Sequence, residues 1–196
     1  LQQHYPERPI MAIGYSLGGN MLLNLLAEPS PTGLTAAVSV SAPLRLDLCS
    51  ARLQRGFSRI YQFHLLNRMK KNLLNKVKTG ALAEFTMPQA KYINSFLAFD
   101  QAITAPLHGY ASAADYYQQC SAFNKLHAIN TPSLLIHAED DPFMTTDVIP
   151  QAQDVSASVE LAISKKGGHV GFVQGNIRQP AFWLEQHIPL WLSQHL

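Results

Sequence analysis

Three residues have the types and surroundings that acyl transfer needs: Ser16, Asp141 and His169. Ser16 stands in Gly14-Tyr15-Ser16-Leu17-Gly18-Gly19-Asn20, which fits the G-x-S-x-G nucleophile elbow. A serine hydroxyl is a weak nucleophile unless a base takes its proton as it attacks. His169, in the glycine-rich Gly167-Gly168-His169-Val170-Gly171-Phe172, is suited to that task because imidazole titrates near neutrality. A carboxylate must then fix the imidazole tautomer and stabilise the imidazolium. Asp140 and Asp141 compete for this role in the acidic turn Ala138-Glu139-Asp140-Asp141-Pro142. Residue type alone leaves the choice between the two open. The backbone N–H of Leu17 is placed to serve as one donor of an oxyanion hole.

The elements that must carry these groups are legible around them. Residues 9–13 are a short apolar strand and residues 20–27 a run of helix formers, so Ser16 sits at a strand-to-helix turn. Gly14 and Gly18 are expected to leave room where a side chain would collide with neighbouring backbone. The loop at 29–33 stops the helix, and residues 36–41 form a second strand, which makes a βαβ unit and a parallel sheet. Residues 133–137 and 159–163 read as a third and a fourth strand, each leading into one of the polar turns above. A closing amphipathic helix is read over 181–196, kinked or divided at Pro189. The fold class is therefore α/β, a mostly parallel sheet flanked by helices, with its chemistry at the carboxyl ends of the strands.

Between residues 45 and 130 the pattern is helical, rich in aromatics such as Phe57, Tyr61, Phe63, Tyr92, Phe96 and Phe99. Such an insertion between two strands suits a cap over an active site, and its aromatics suit an apolar pocket or simply a core. Nine basic residues against the single acid Asp47 fall between Arg45 and Lys78. Leu65, Leu66, Met69, Leu73, Leu74 and Val77 recur among them at helical spacing, so the segment is a basic amphipathic helix. It reads as a solvated face above a packed stripe, with peripheral membrane contact or anionic-ligand binding as the alternative.

A chain of 196 residues with 47% hydrophobic and 14% charged residues is one globular domain with a real core. A net charge of +2 gives no case for nucleic acid. Cys49 and Cys120 make no metal or redox motif, no H-x-x-x-H pairs the histidines, and a reducing cytoplasmic setting follows. No signal peptide and no membrane-length apolar run is read. His137 is assigned to the core or to support of the site, and His4, His64, His108, His127, His187 and His195 show no partner pattern.

The chain resembles the YheT-like branch of the α/β-hydrolase superfamily, related to the ABHD-type lipid esterases. The residues that carry the resemblance run through the whole chain: the elbow, Val40-Ser41-Ala42-Pro43, Gly56-Phe57-Ser58-Arg59, His108-Gly109-Tyr110, Asp115-Tyr116-Tyr117, His137-Ala138-Glu139-Asp140-Asp141-Pro142-Phe143-Met144 and the His169 loop. The order Ser…Asp…His is that family's and differs from those of chymotrypsin and subtilisin. The resemblance implies a cofactor-free serine hydrolase of carboxylic esters with short or medium acyl chains. Ser16 is then nucleophile and His169 base; Asp141 is the acid, because in many α/β-hydrolases it falls three residues after a small residue ending the strand, as Asp141 follows Ala138, with a proline after it, and Asp140 is a neighbour that raises the local negative potential. Acyltransferase and thioesterase chemistry share the same acyl-enzyme. It also implies strands ahead of the elbow and a loop that supplies a second oxyanion donor, neither of which is read here. The expectation is therefore the C-terminal portion of a longer protein, and an inactive fragment or a lipid- or partner-binding module is the reading from another class.

Overall fold

The computed structural model describes residues 4–5, 7–29, 33–82, 93–176 and 178–196. Part of the loop expected at 29–33, and Tyr92, lie outside them. Four strands form one parallel sheet in the order β1 (Met11–Tyr15), β2 (Ala36–Val40), β3 (Ser133–Ala138) and β4 (Val159–Ser164). Register is continuous, Ile13 opposite Val38, Val38 opposite Leu134, and Leu134 opposite Glu160. Because all strands run the same way, their carboxyl ends open along one edge, where Ser16 and the turn after Ala138 both fall.

Side-chain alternation sorts the buried strands between two faces. Ala36, Val38, Val40, Leu134, Ile136 and Ala138 cluster with Leu184, Ile188 and Trp191. The opposite face of β2 presents Ser39, against which Gly19 of α1 (Leu17–Leu26) closes so tightly that a Cβ would lie 2.6 Å from the hydroxyl. The chain divides into two compact units, residues 1–45 with 120–196, and residues 46–119. The second unit is helical among its described residues. It comprises α2 (Leu46–Leu53), α3 (Ser58–Lys78), α4 (Phe96–Phe99), which continues through a π-helical turn (Asp100–Thr104) into α5 (Ala105–Leu107), and α6 (Ala113–Cys120). The stripe read on the basic segment packs inside this unit, Leu66 and Leu73 against Ile93, Phe99 and Ile103. Burial holds the Asp100 carboxyl above its ordinary range despite hydrogen bonds donated by the Thr104 and Tyr117 hydroxyls, and it pushes the Tyr117 phenol up strongly.

The C-terminal end departs from expectation. Residues 179–182 are not helical: β5 (Val173–Asn176) and β6 (Gln179–Phe182) form an antiparallel hairpin, and the closing helix α7 is Trp183–Ser193. Pro180 fits within β6 because a two-stranded hairpin is all edge and tolerates a residue without an N–H. Helix α7 runs through Pro189 undivided. His187 stacks on Trp183, four residues earlier in α7, and His195, just past the helix, meets the Trp191 ring at a tilt of 52°.

Candidate active site

Ser16 caps α1 in a conformation that few side chains adopt, φ 51° and ψ −125°. Such strain costs on the order of 1–3 kcal/mol, so the surroundings must impose it. On one side the Ser16 N–H still donates to Val40 O at 2.8 Å, as a continuation of the strand ladder; on the other its carbonyl accepts from the N–H groups of Gly19 and Asn20 as the helix begins. The turn between closes because Gly14 has no side chain: a Cβ there would lie 2.6 Å from Gly18 O. The expected crowding at Gly18 is not seen. A Cβ at Gly18 would meet nothing within 4 Å, and Gly19 is the second crowded position, because the helix start turns Gly18 toward solvent and Gly19 onto β2.

Asn20, the last residue of the elbow motif, is buried and acts as a latch. Its amide nitrogen donates to Cys120 O at 2.8 Å and its amide oxygen accepts from Ala122 N at 3.0 Å. Asn24 repeats the bond to Cys120 O one turn on. This fastens the segment entering β3 to the helix behind the serine, a role the sequence did not disclose.

The three residues singled out for chemistry come together. His169 Nε2 lies 2.9 Å from Ser16 Oγ, and its Nδ1 lies 2.8 Å from Asp141 Oδ2. Asp141 is buried, and its Oδ1 also accepts from Phe143 N at 2.8 Å, which orients the carboxylate. The ring of Phe143 stacks on the imidazole at 4.0 Å and 8°. Its position within the Asp-Asp-Pro-Phe-Met run was the available signal for this second support of the histidine. Asp140 does not touch His169; its Oδ1 accepts from both Gly167 N and Gly168 N at 2.9 Å and holds the histidine loop from beneath. Phe172 anchors the other end of the loop in the core, its N–H donating to Gly167 O at 2.9 Å. Gly167 is obligatory there, since a Cβ would lie 2.7 Å from the Phe172 ring. Leu17 is the first residue of α1, so its N–H is one that a helix leaves without an intrahelical acceptor.

His137 lies in β3 four residues before Asp141 and is wholly buried, with neither ring nitrogen hydrogen-bonded. Burial pushes its pKa down to about 4; the Asp141 carboxylate pulls it upward, His169 pushes it down, and the Ala42 backbone pulls weakly upward without a well-aligned bond. The folded protein therefore refuses a proton that the unfolded chain accepts near pH ~6.5. Stability is full above that value, falls as pH drops toward 4, and loses about 3 kcal/mol across the window from this group. His137→Leu is expected to remove that share. Urea unfolding at the two ends of the window checks it, and an unchanged difference between parent and variant would count against the assignment.

Among the described residues, no group of histidine, cysteine and carboxylate side chains is arranged to hold a metal ion, and no helix is long and apolar enough to cross a membrane. A family model described as the alpha/beta hydrolase fold matches residues 1–176. The protein YheT of Escherichia coli K12 is 47% identical over the whole of this chain and 58% of its own length. Phospholipase ABHD3 of Mus musculus is 31% identical over 87% of this chain and 42% of its own. Among solved structures, the monoacylglycerol lipase of Paleococcus ferrophilus shares the fold at a TM-score of 0.52 and 15% identity, over 98% of this chain and 71% of that one. The chain thus spans about half the length of the curated relatives it matches.

Proposed function

The chain belongs to the alpha/beta hydrolase family, and on that premise we propose that it is a serine hydrolase of carboxylic esters with lipid-like substrates of short or medium acyl chain. The observation that carries the reading is the unbroken line from Ser16 Oγ through His169 to Asp141, at 2.9 and 2.8 Å. The strained elbow, which turns the hydroxyl outward, supports it. The name of the relative phospholipase ABHD3 supports a lipid ester as substrate.

Ser16 Oγ attacks the ester carbonyl carbon as His169 Nε2 takes its proton. Asp141 keeps the Nδ1 proton facing it and stabilises the imidazolium. Charge develops on the former carbonyl oxygen, and the Leu17 N–H at the head of α1 donates to it, assisted by the dipole of that helix. The tetrahedral intermediate collapses with cleavage of the bond to the alcohol, which leaves with the proton from Nε2. Water then enters, gives a proton to Nε2 and its oxygen to the acyl carbon, and Ser16 is released with the proton restored. Ser16, His169, ester and water account for every bond and proton, so the scheme uses no cofactor. The role of the helical insertion as a cap that selects acyl chain and alcohol, and the cytoplasmic setting, belong to the same proposal.

The test is a panel of p-nitrophenyl esters of rising acyl length, a lysophospholipid and a thioester, each with and without an added alcohol. Hydrolysis with a covalently acylated Ser16 found by mass spectrometry is expected. Faster transfer to the alcohol than to water would make the protein an acyltransferase, and preference for the thioester a thioesterase. Absence of any acyl-enzyme with every ester would sink the serine mechanism.

A further inference from the structure

The helical unit carries a surface that the reaction does not use. Gly56, at φ 53°, turns the chain into α3, and three large apolar side chains at that corner stand in water: Phe57 is 71% exposed, Ile60 59% and Phe63 69%. Phe57, Ile60 and Tyr61 occupy one face at helical spacing, and the same face continues with Arg68, Lys71 and Lys78, all exposed. Exposed Arg55 and Arg59 flank the apolar corner. Helix α3 has no acidic residue, and among the described residues no carboxylate lies within ion-pairing distance of these cations. Lys70, by contrast, is spent on the fold, donating to Ile93 O at 2.9 Å, while Leu66 and Leu73 fill the core on the far side.

We propose that this face docks on the surface of an anionic phospholipid bilayer. The helix is already ordered and its buried stripe already satisfied, so the exposed corner is a second apolar patch, of the kind that marks an interaction site. Phe57, Ile60 and Tyr61 would enter the boundary between headgroups and acyl chains, where aromatic and aliphatic side chains lose contact with water. Arg68, Lys71 and Lys78 would lie along the headgroups, each adding attraction that salt screens. The chemistry of the face selects this occupant. A second copy would bring an equal row of cations against it. A nucleic acid would neutralise the cations but would gain nothing from Ile60. The inference stands on the helical unit alone and is independent of the catalytic reading.

Flotation of the full 196-residue chain with phosphatidylcholine vesicles, with and without phosphatidylglycerol, tests it. Binding to the anionic vesicles, weak or absent binding to the neutral ones, and release by concentrated salt are expected. Two folded variants separate the contributions: Phe57→Ser with Ile60→Ser, and Lys71→Glu with Lys78→Glu. All four positions are exposed, and circular dichroism reports that the fold is kept. Each pair is expected to weaken binding about tenfold or more, with the charge reversal also flattening the salt dependence. Ser16→Ala should bind as the parent does, which keeps this result apart from any failure of the enzyme reading. No binding to anionic vesicles, equal binding to neutral ones, unaltered binding by both variants, or tighter binding to a single-stranded oligonucleotide would each overturn the proposal.

Discussion

Ser16→Ala is expected to abolish labelling by a fluorophosphonate and to lower ester turnover by about 10⁶-fold, the scale on which removal of a serine nucleophile acts. The reagent needs no knowledge of the substrate, because it reports only a serine hydroxyl whose proton has a base waiting for it. Here His169 Nε2, the proposed base, is 2.9 Å from the hydroxyl. Alanine fits the elbow in size but not in backbone preference, since φ 51° is unfavourable for either residue. The variant should therefore fold about as well as the parent, and its thermal midpoint is the control. Labelling that persists at full rate in Ser16→Ala would place the reactive group elsewhere and remove the basis of the mechanism.

The second large effect separates two adjacent carboxylates. Asp141→Asn keeps the shape of the side chain but offers an amide to His169 Nδ1, so the imidazole settles with its proton on the wrong nitrogen and cannot act as base. A fall in kcat of about 10⁴-fold is expected, with KM little changed. Asp140→Asn should cost about tenfold or less. An amide oxygen can still accept the two N–H bonds from Gly167 and Gly168 that Asp140 accepts at 2.9 Å, and only the charge is lost. Side-by-side kcat and KM for the two variants decide the assignment, and the reverse order of effects would exchange the roles of Asp140 and Asp141.

The parts of this fold that could be read in sequence are those where one local signal suffices. Apolar runs ending in Gly-x-Ser-x-Gly, in Asp-Asp-Pro and in Gly-Gly-His marked three strands and the turns after them, because buried parallel strands are continuous in hydrophobicity and polar only where they emerge. What escaped depends on contacts between distant residues. The Asn20 latch joins residues 102 positions apart, and nothing around Asn20 announces Ala122. The crowding at Gly19, in place of Gly18, comes from Ser39 on the next strand. The hairpin of β5 and β6 has no buried apolar run to mark it, since all of its residues but Ala181 are exposed. Phe143 was visible as a letter, yet its stacking on His169 required the turn that only the folded chain displays.

The separation of Ser16 from His169, 153 positions along the chain, bears on how the protein matures. Synthesis delivers the elbow well before the histidine loop, so on the proposed mechanism the serine has no base until a residue 153 positions later has joined it. Contacts of such long range are slow to form. On that mechanism a chain whose histidine loop has not docked carries an unactivated hydroxyl. Chemical reactivity of that one oxygen becomes a readout of completed folding, available in a crude extract without purification.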